Sequence, residues 1–363
     1  MLYLNAAGLS PFHPEVQHTI SHTLDSFSRL LYSEAGIQLY REILQQSRQT
    51  IADWLELNDA QQLAFVPNTT TACRLTFSRI KWKPGDTLLT TTHENSTIIH
   101  EIHALRNQGV SIVSLDPDAS IGLLPALEQS LHTHSVRAIV VSHVSHFDGR
   151  IFPVEAIQDL ADSRHALLLV DGAQAAGHIP VSFRHLHPHA YFFPGHKWCA
   201  GPMGTGALIV RKDWVNTPAG PGHTKNYDEA SQVGWSQFEL GTQNIGLIAG
   251  LAKACSLKHQ EGLNPQALGE IRDEWKTCLQ RYGGIRILDT ENPQAPGILS
   301  FICLDDQIET LIQAIASTHS LAWKTCTHPS FPSRLCVRLS WNTGTPQPDI
   351  RTALSIFSSH QNR

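Results

Sequence analysis

The chain has no apolar run long enough to cross a bilayer. Its longest, such as Ala166 to Val170, fall far short of the ~20 residues a spanning helix needs. It has no basic excess either: 27 Lys+Arg stand against 32 Asp+Glu, a formal charge of -5, with no basic stripe, so nucleic acid is not an expected partner. Paired cysteines are missing. The seven (73, 199, 255, 278, 303, 326 and 336) are odd in number and scattered without C-x-x-C spacing. That argues against a disulfide framework and a zinc ribbon, and it fits a reducing cytoplasm with no resident metal. The opening MLYLNAAGLSPFHP carries no basic stretch leading into an apolar one, so no secretory signal is expected. Repeats, low-complexity tracts and a Walker G-x-x-x-x-G-K-[ST] are also lacking, and no G-x-G-x-x-G follows the first strand.

What is present is enzyme-sized: 363 residues, 41% hydrophobic, 7% aromatic, about two domains' worth. Short aliphatic segments at 62–66, 87–91, 110–115, 138–142, 166–171, 190–193 and 206–211 predict seven strands without polar alternation, as when both sheet faces are covered. Helical stretches at 70–80, 96–107, 123–132 and 154–162 alternate with them, which predicts an α/β fold with a mostly parallel sheet. Past the Pro/Gly loop Thr217–Gly222 the rhythm changes. A helix at 245–260 leads to a smaller C-terminal α+β domain, with strands at 298–303 and 335–339 and helices at 308–318 and 348–359. The expected division is an arm (1–12), a helical segment packing with the small domain (13–57), a large domain (58–260) and a small one (261–363).

Two segments carry chemistry. In Leu167-Leu-Leu-Val-Asp171-Gly-Ala173-Gln174 a carboxylate ends an aliphatic strand, where α/β sheets bind ligands. In Tyr191-Phe-Phe-Pro-Gly195-His196-Lys197-Trp198 a strand empties into a lysine beside a glycine-dense loop. A lysine and an acid at neighbouring strand ends suit pyridoxal 5'-phosphate, the lysine joining the cofactor aldehyde and the acid keeping the pyridine nitrogen protonated. Phe65-Val-Pro-Asn68-Thr-Thr-Thr71-Ala72 offers an anion cradle at a helix start.

These segments resemble the class V aminotransferase group of fold type I pyridoxal-phosphate enzymes, most nearly the cysteine/cystine C–S lyases and the cysteine desulfurases. The likeness runs along almost the whole chain and includes Leu4–Pro11, Asn68–Ala72, Ser142-His143 and Gly195–Pro202. It implies a large domain with a seven-stranded sheet, a small C-terminal domain, and a homodimer with active sites at the interface. Carried over, Lys197, Asp171 and His93 are catalytic, His93 stacking on the pyridine face. Ala173 packs under the ring and Gln174 bonds its hydroxyl. Thr70, Thr71, Ala72 and His196 hold the phosphate, with Thr242 donated by the neighbouring subunit. Arg338 grips the substrate carboxylate, with Ala7 and His146 beside it.

The implied reaction is β-elimination from cysteine, cystine or a cysteine conjugate, giving pyruvate, ammonia and a thiol or persulfide. A desulfurase passing sulfur from a Cys persulfide to an acceptor protein, and an aminotransferase or epimerase, stay open as alternatives. Three departures touch the site. Pro194 replaces a usual hydroxyl residue, His146 stands at or near a usual Asn, and Gln237 stands where Arg is common. Cys326 lies where a desulfurase nucleophile would, without the usual surroundings, and is read as a plain residue. His185, His187 and His189 alternate, but Pro188 interrupts them. Trp198 is as much core as contact.

Overall fold

The computed structural model describes residues 1–215, 238–289 and 293–360. The loop Thr217–Gly222 and Gln237 lie outside the described residues. A short strand β1 (Leu2–Tyr3) precedes two long helices, α1 (Pro14–Leu30) and α2 (Glu34–Trp54). Alternation follows: β2 (Leu63–Val66), α3 (Thr69–Arg79), β3 (Thr87–Thr91), α4 (Ser96–Arg106), β4 (Ser111–Leu115), α5 (Leu123–Thr133), β5 (Val136–Ser142), α6 (Val154–Ser163) and β6 (Leu167–Asp171). Then come β7 (Ala190–Pro194), β8 (Gly206–Val210), α7 (Lys212–Val215) and α8 (Ile245–Glu261). The C-terminal part holds α9 (Pro265–Leu279), β9 (Ile285–Ile287), β10 (Ile298–Cys303), α10 (Asp306–Thr318), β11 (Leu321–Ala322), β12 (Lys324–His328), β13 (Phe331–Ser340) and α11 (Gln347–Ser359).

Seven strands form one sheet in the order β2-β8-β7-β6-β5-β3-β4. The pairs from β7 to β4 are parallel, whereas β8 runs antiparallel to both of its neighbours. Successive residues of β6 point to opposite faces: Leu168 and Val170 join an apolar cluster with Phe65, Val141 and Phe193, and Leu169 joins another with Val66, Val140 and Phe192. Covering both faces is what removes the polar alternation from these strands. The second sheet is antiparallel, β12-β13-β10-β9, with Trp275, Leu299, Phe301, Leu339 and Phe357 in the core beneath it.

One expectation needs correcting. The helices of residues 13–57 make their main contacts elsewhere than the C-terminal strands and helices: α1 and α2 both lie against α8. Leu44 and Ile51 on one face of α2, with Leu55 just past its end, enter the same cluster as Phe65 and Phe193 of the large sheet. It is the arm before them that reaches the C-terminal part. β1 pairs parallel with β11, and Leu4 is buried in the C-terminal core.

Candidate active site

The parallel strands β3, β5, β6 and β7 deliver their carboxyl ends toward one pocket. It is lined by Thr69, Asn95, Ser142, Val144, His146, Asp171, Ala173, Gln174 and Lys197. Asp171 closes β6 in register with Ser142 at the end of β5, and Lys197 lies three residues beyond β7. Two glycines make the approach possible. A Cβ on Gly172 would sit 2.2 Å from the Tyr191 ring, and one on Gly177 (φ +85°) would meet the Trp198 backbone at 2.7 Å. The turn carrying Asp171 and Gln174 can therefore lie directly on the turn carrying Lys197.

Asp171 Oδ1 accepts the Ala173 N–H at 2.8 Å. Burial raises the Asp171 pKa, and Lys197 pulls it back down. Burial lowers the Lys197 pKa, with Asp171 opposing and Arg338 reinforcing. Gln174 is oriented from three sides. Trp198 Nε1 donates to its Oε1 at 2.6 Å, its Nε2 donates to the Ala7 carbonyl at 3.2 Å, and its own carbonyl faces His178 Nδ1 at 3.0 Å. Trp198 is fully buried and stacks on His178 at 3.5 Å and 7°. It is core and positions Gln174, and it does not line the pocket.

Arg338, on β13, is buried at 5% exposure. Its Nη1 donates to the His146 carbonyl at 2.8 Å, while its Nε has no hydrogen-bond partner. No carboxylate pairs with it among the described residues. His146 Nδ1 is likewise buried and unpartnered, and its pKa is lowered to about 3 by burial, with Arg338 and Lys197 adding to the effect. A guanidinium without a carboxylate partner among the described residues, near enough to Lys197 to lower its pKa, leaves the site one cation in surplus over Asp171. That surplus suits an anionic ligand.

The structure redistributes part of the cradle. Asn68 caps α3 and accepts the Thr71 N–H at 2.8 Å, and its carbonyl accepts the Ala72 N–H at 3.2 Å. Those two donors are spent, and the Ala72 methyl belongs to the core, so Ala72 is not an anion contact. The Thr69 and Thr70 N–H groups, at the first turn, have no intrahelical acceptor. Thr69 lines the pocket; the Thr70 hydroxyl instead meets Thr97 at 3.3 Å. Thr71 and the exposed Thr242 share a neighbouring cleft with Gly204 and Gly206. His196, half-buried, accepts the Ser10 N–H on its carbonyl at 2.8 Å.

His93 is also placed differently from the expectation. Its ring is fully buried, edge-on to Phe147, Phe152 and His328, and is not part of the pocket wall. Its Nε2 lies 3.7 Å from Asp118. His93, Asp116 and Asp118 bring donor atoms within 4.8 Å of one another, but the Arg150 guanidinium already pairs with Asp118 there. The three alternating histidines disperse: His185 and His187 are exposed, and His189 is buried against Arg211 with its Nδ1 accepting the Leu168 N–H.

Glu94 was not singled out from the sequence, and neither were Asn95 and Val144 as pocket residues. Glu94 sits beneath Ser142 and accepts from Thr91 Oγ1 (2.7 Å), Ser142 N (3.1 Å) and Ser142 Oγ (2.8 Å). Burial raises its pKa to about 7 despite those bonds, and Asp171 adds to the rise. An acid whose folded pKa exceeds its unfolded one contributes stability fully present below about pH 4.5 and lost as pH rises through about 7. The full loss is about 3 kcal/mol at 1.36 kcal/mol per pH unit. Glu94→Gln fits the same bonds, because the Ser142 hydroxyl can turn and accept. The variant is therefore expected to hold its stability between pH 5 and 8 where the parent declines, as read by urea unfolding across a pH series. Parallel declines would remove Glu94 as the cause.

Comparison with known proteins agrees with this geometry. The chain matches the family described as aminotransferase class-V over residues 2–337. A protein of Methanothermobacter thermautotrophicus named probable cysteine desulfurase is 24% identical over 361 residues, covering 96% of this chain and 90% of that one. A protein of Aeropyrum pernix with the same name is 31% identical over 250 residues, 61% of this chain and 60% of the relative's length. Among solved structures, the cystine C–S lyase C-DES in complex with its product cysteine persulfide superposes with a TM-score of 0.84 at 24% identity, covering 98% and 97% of the two chains. The apo cysteine desulfurase of Thermococcus onnurineus gives 0.85 at 21%, covering 99% and 94%. At those identities the structural likeness shows the fold. It is fold type I, with a mostly parallel seven-stranded sheet.

Proposed function

The chain belongs to the aminotransferase class-V family, and from that membership we propose that it is a pyridoxal 5'-phosphate enzyme that cleaves carbon–sulfur bonds by β-elimination. The observation that carries this reading is the buried Arg338, without a carboxylate partner among the described residues, bonded to the carbonyl of His146, which lines the pocket with Lys197 and Asp171, and near enough to Lys197 to lower its pKa. A cation left so at the cost of burial is a receptor for an acid group the ligand brings. The donor set fits the cofactor: Lys197 for its aldehyde, Asp171 for its ring nitrogen, Gln174 for its hydroxyl, and the first turn of α3 for its phosphate. When bound, the cofactor supplies an electron sink for the α-carbon of an amino acid.

The residues do the rest. Arg338 holds the substrate carboxylate with two parallel N–H bonds, which fixes the α-carbon over the pocket. The Lys197 amine, its pKa depressed by burial, is a suitable base for the α-proton. Asp171 keeps a proton on the ring nitrogen and so keeps the sink open. A sulfur substituent on the β-carbon leaves with the bonding pair, and the carbon skeleton is hydrolysed to pyruvate and ammonia. His146, held neutral, adds no further positive charge beside Arg338.

The relatives' names favour a second reading, a cysteine desulfurase. Against it stands Cys326, which is held within β12, paired to β13, and is not carried on a loop. The products separate the two. Purified protein with cystine or cysteine is expected to form pyruvate and ammonia, followed with lactate dehydrogenase; alanine from cysteine, without pyruvate, would sink the elimination reading in favour of desulfuration.

A homodimer is part of the same proposal. Leu31, Tyr32, Met203 and Leu240 are exposed. Tyr32 is linked through Phe27 and Tyr40 to Gln243, beside the Thr71/Thr242 cleft. This is the face where a second copy would bring Thr242 toward a phosphate. Seven free cysteines and the absence of a membrane-length apolar helix among the described residues accord with a cytoplasmic site.

A further inference from the structure

Cys326 and Cys336 stand directly opposite each other on the antiparallel strands β12 and β13. Directly opposed residues have Cα atoms about 4.5–5.5 Å apart and side chains on the same face. That separation lies within the roughly 4.4–6.8 Å a disulfide spans. The two thiols are near enough to shift each other's pKa in opposite directions. The pair is also next to the substrate site. Arg338 follows Cys336 by two residues, hence on the same face, and is paired in register with Lys324, which precedes Cys326 by two. The same face meets the pocket segment, since Arg338 donates to the His146 carbonyl and the Ser300 hydroxyl to the Phe147 carbonyl.

We propose that Cys326 and Cys336 form a redox dithiol that takes the sulfane sulfur of a hydropersulfide and reduces it to sulfide. The proposal rests on the elimination reading in one respect only: a hydropersulfide is what elimination from cystine releases beside Arg338. Cys326 is half-buried and Cys336 buried, so Cys326 is the attacking thiol and Cys336 the resolving one. The neighbouring Cys336 lowers the Cys326 pKa, with burial opposing and Arg338 and Lys324 helping, while the neighbouring Cys326 and burial raise that of Cys336. A thiolate at Cys326 is what the attack needs.

The step balances. The Cys326 sulfur attacks the outer sulfur of R–S–S–H; that S–S bond breaks, and the R–S group leaves as a free thiol with the bonding pair and the Cys326 proton. Cys336 then attacks the Cys326 sulfur, expelling hydrosulfide, which departs as hydrogen sulfide with the Cys336 proton. Two thiols are oxidised to one disulfide and one sulfane sulfur is reduced to sulfide. An external dithiol returns the pair to its starting state.

The test uses the reduced full chain and inorganic polysulfide, without air, followed by alkylation and peptide mapping. A Cys326–Cys336 cross-linked peptide with released sulfide is expected. Cys336→Ser should stop at a persulfide on Cys326, and Cys326→Ser should give neither product. Lys197→Ala should behave as the parent here, so a failed elimination reading leaves this result standing. Absence of the cross-link in the parent chain, or unchanged sulfide release by Cys326→Ser, overturns the proposal.

Discussion

Lys197→Ala is expected to abolish turnover, by about 10⁴-fold or more, because the variant loses both the covalent tether and the base for the α-proton. The turn that carries the amine is fixed from outside the pocket. The Gly177 turn lies against the Trp198 backbone, and the Ala200 N–H returns to the Lys197 carbonyl. The main chain should therefore hold its path when the side chain is cut, and the fold should survive. The separating measurement is covalent. After borohydride reduction, mass spectrometry of the parent should find cofactor on the Lys197 peptide alone, and the variant should carry none. Label on another lysine, or turnover within about tenfold of the parent, would end the reading of this pocket.

Arg338 gives the second large effect, with opposite signs in two assays. Arg338→Met removes the bidentate grip on the substrate carboxylate, about 1.5–3 kcal/mol, so KM should rise about 10- to 150-fold while kcat falls less. The same change relieves a buried guanidinium whose Nε has no partner. Among the described residues its compensation is the bond to the His146 carbonyl. Replacing an ill-compensated buried charge by an apolar side chain of similar length is often stabilising. The ligand-free variant is thus expected to melt at a higher temperature than the parent. Arg338→Lys should keep the charge and lose most of the affinity, because an ammonium cannot bind both oxygens in one plane. A variant with lower Tm and unchanged KM would mean that Arg338 serves the sheet and not the substrate.

The parts of this site legible in the sequence are those tied to strand ends. Asp171 and Lys197 each follow a run of buried aliphatic or aromatic residues, and parallel sheets put such ends on one side. The threonine cradle was visible as a composition, but which hydroxyl faces the pocket depends on the rotation about α3, about 100° per residue, so Thr69 and Thr70 trade places. Arg338 could be picked out only through the family resemblance, since nothing in the pattern of β13 marks it. His93 followed the resemblance too, and packing against Phe147, Phe152 and His328 takes its ring out of the pocket wall. Glu94 gave no signal, because its burial comes from a partner, Ser142, 48 positions away. The Cys326 pairing was hidden in a polar strand, Lys-Thr-Cys-Thr-His, whose partner is known only once the His328/Phe331 turn fixes the register.

The opening dozen residues behave as a stitch. They leave β11, bury Leu4 among C-terminal side chains, give the Ala7 carbonyl to Gln174 and the Ser10 N–H to His196, and take a bond from Asn342 on the Ser10 hydroxyl. Alongside the direct bonds from Arg338 to the His146 carbonyl and from Gly297 to His178, this thread sews the two cores together at the seam where the lysine and the arginine must meet. Neither half can drift without pulling the thread through the other, so the spacing between amine and guanidinium is held by a segment that performs no chemistry itself.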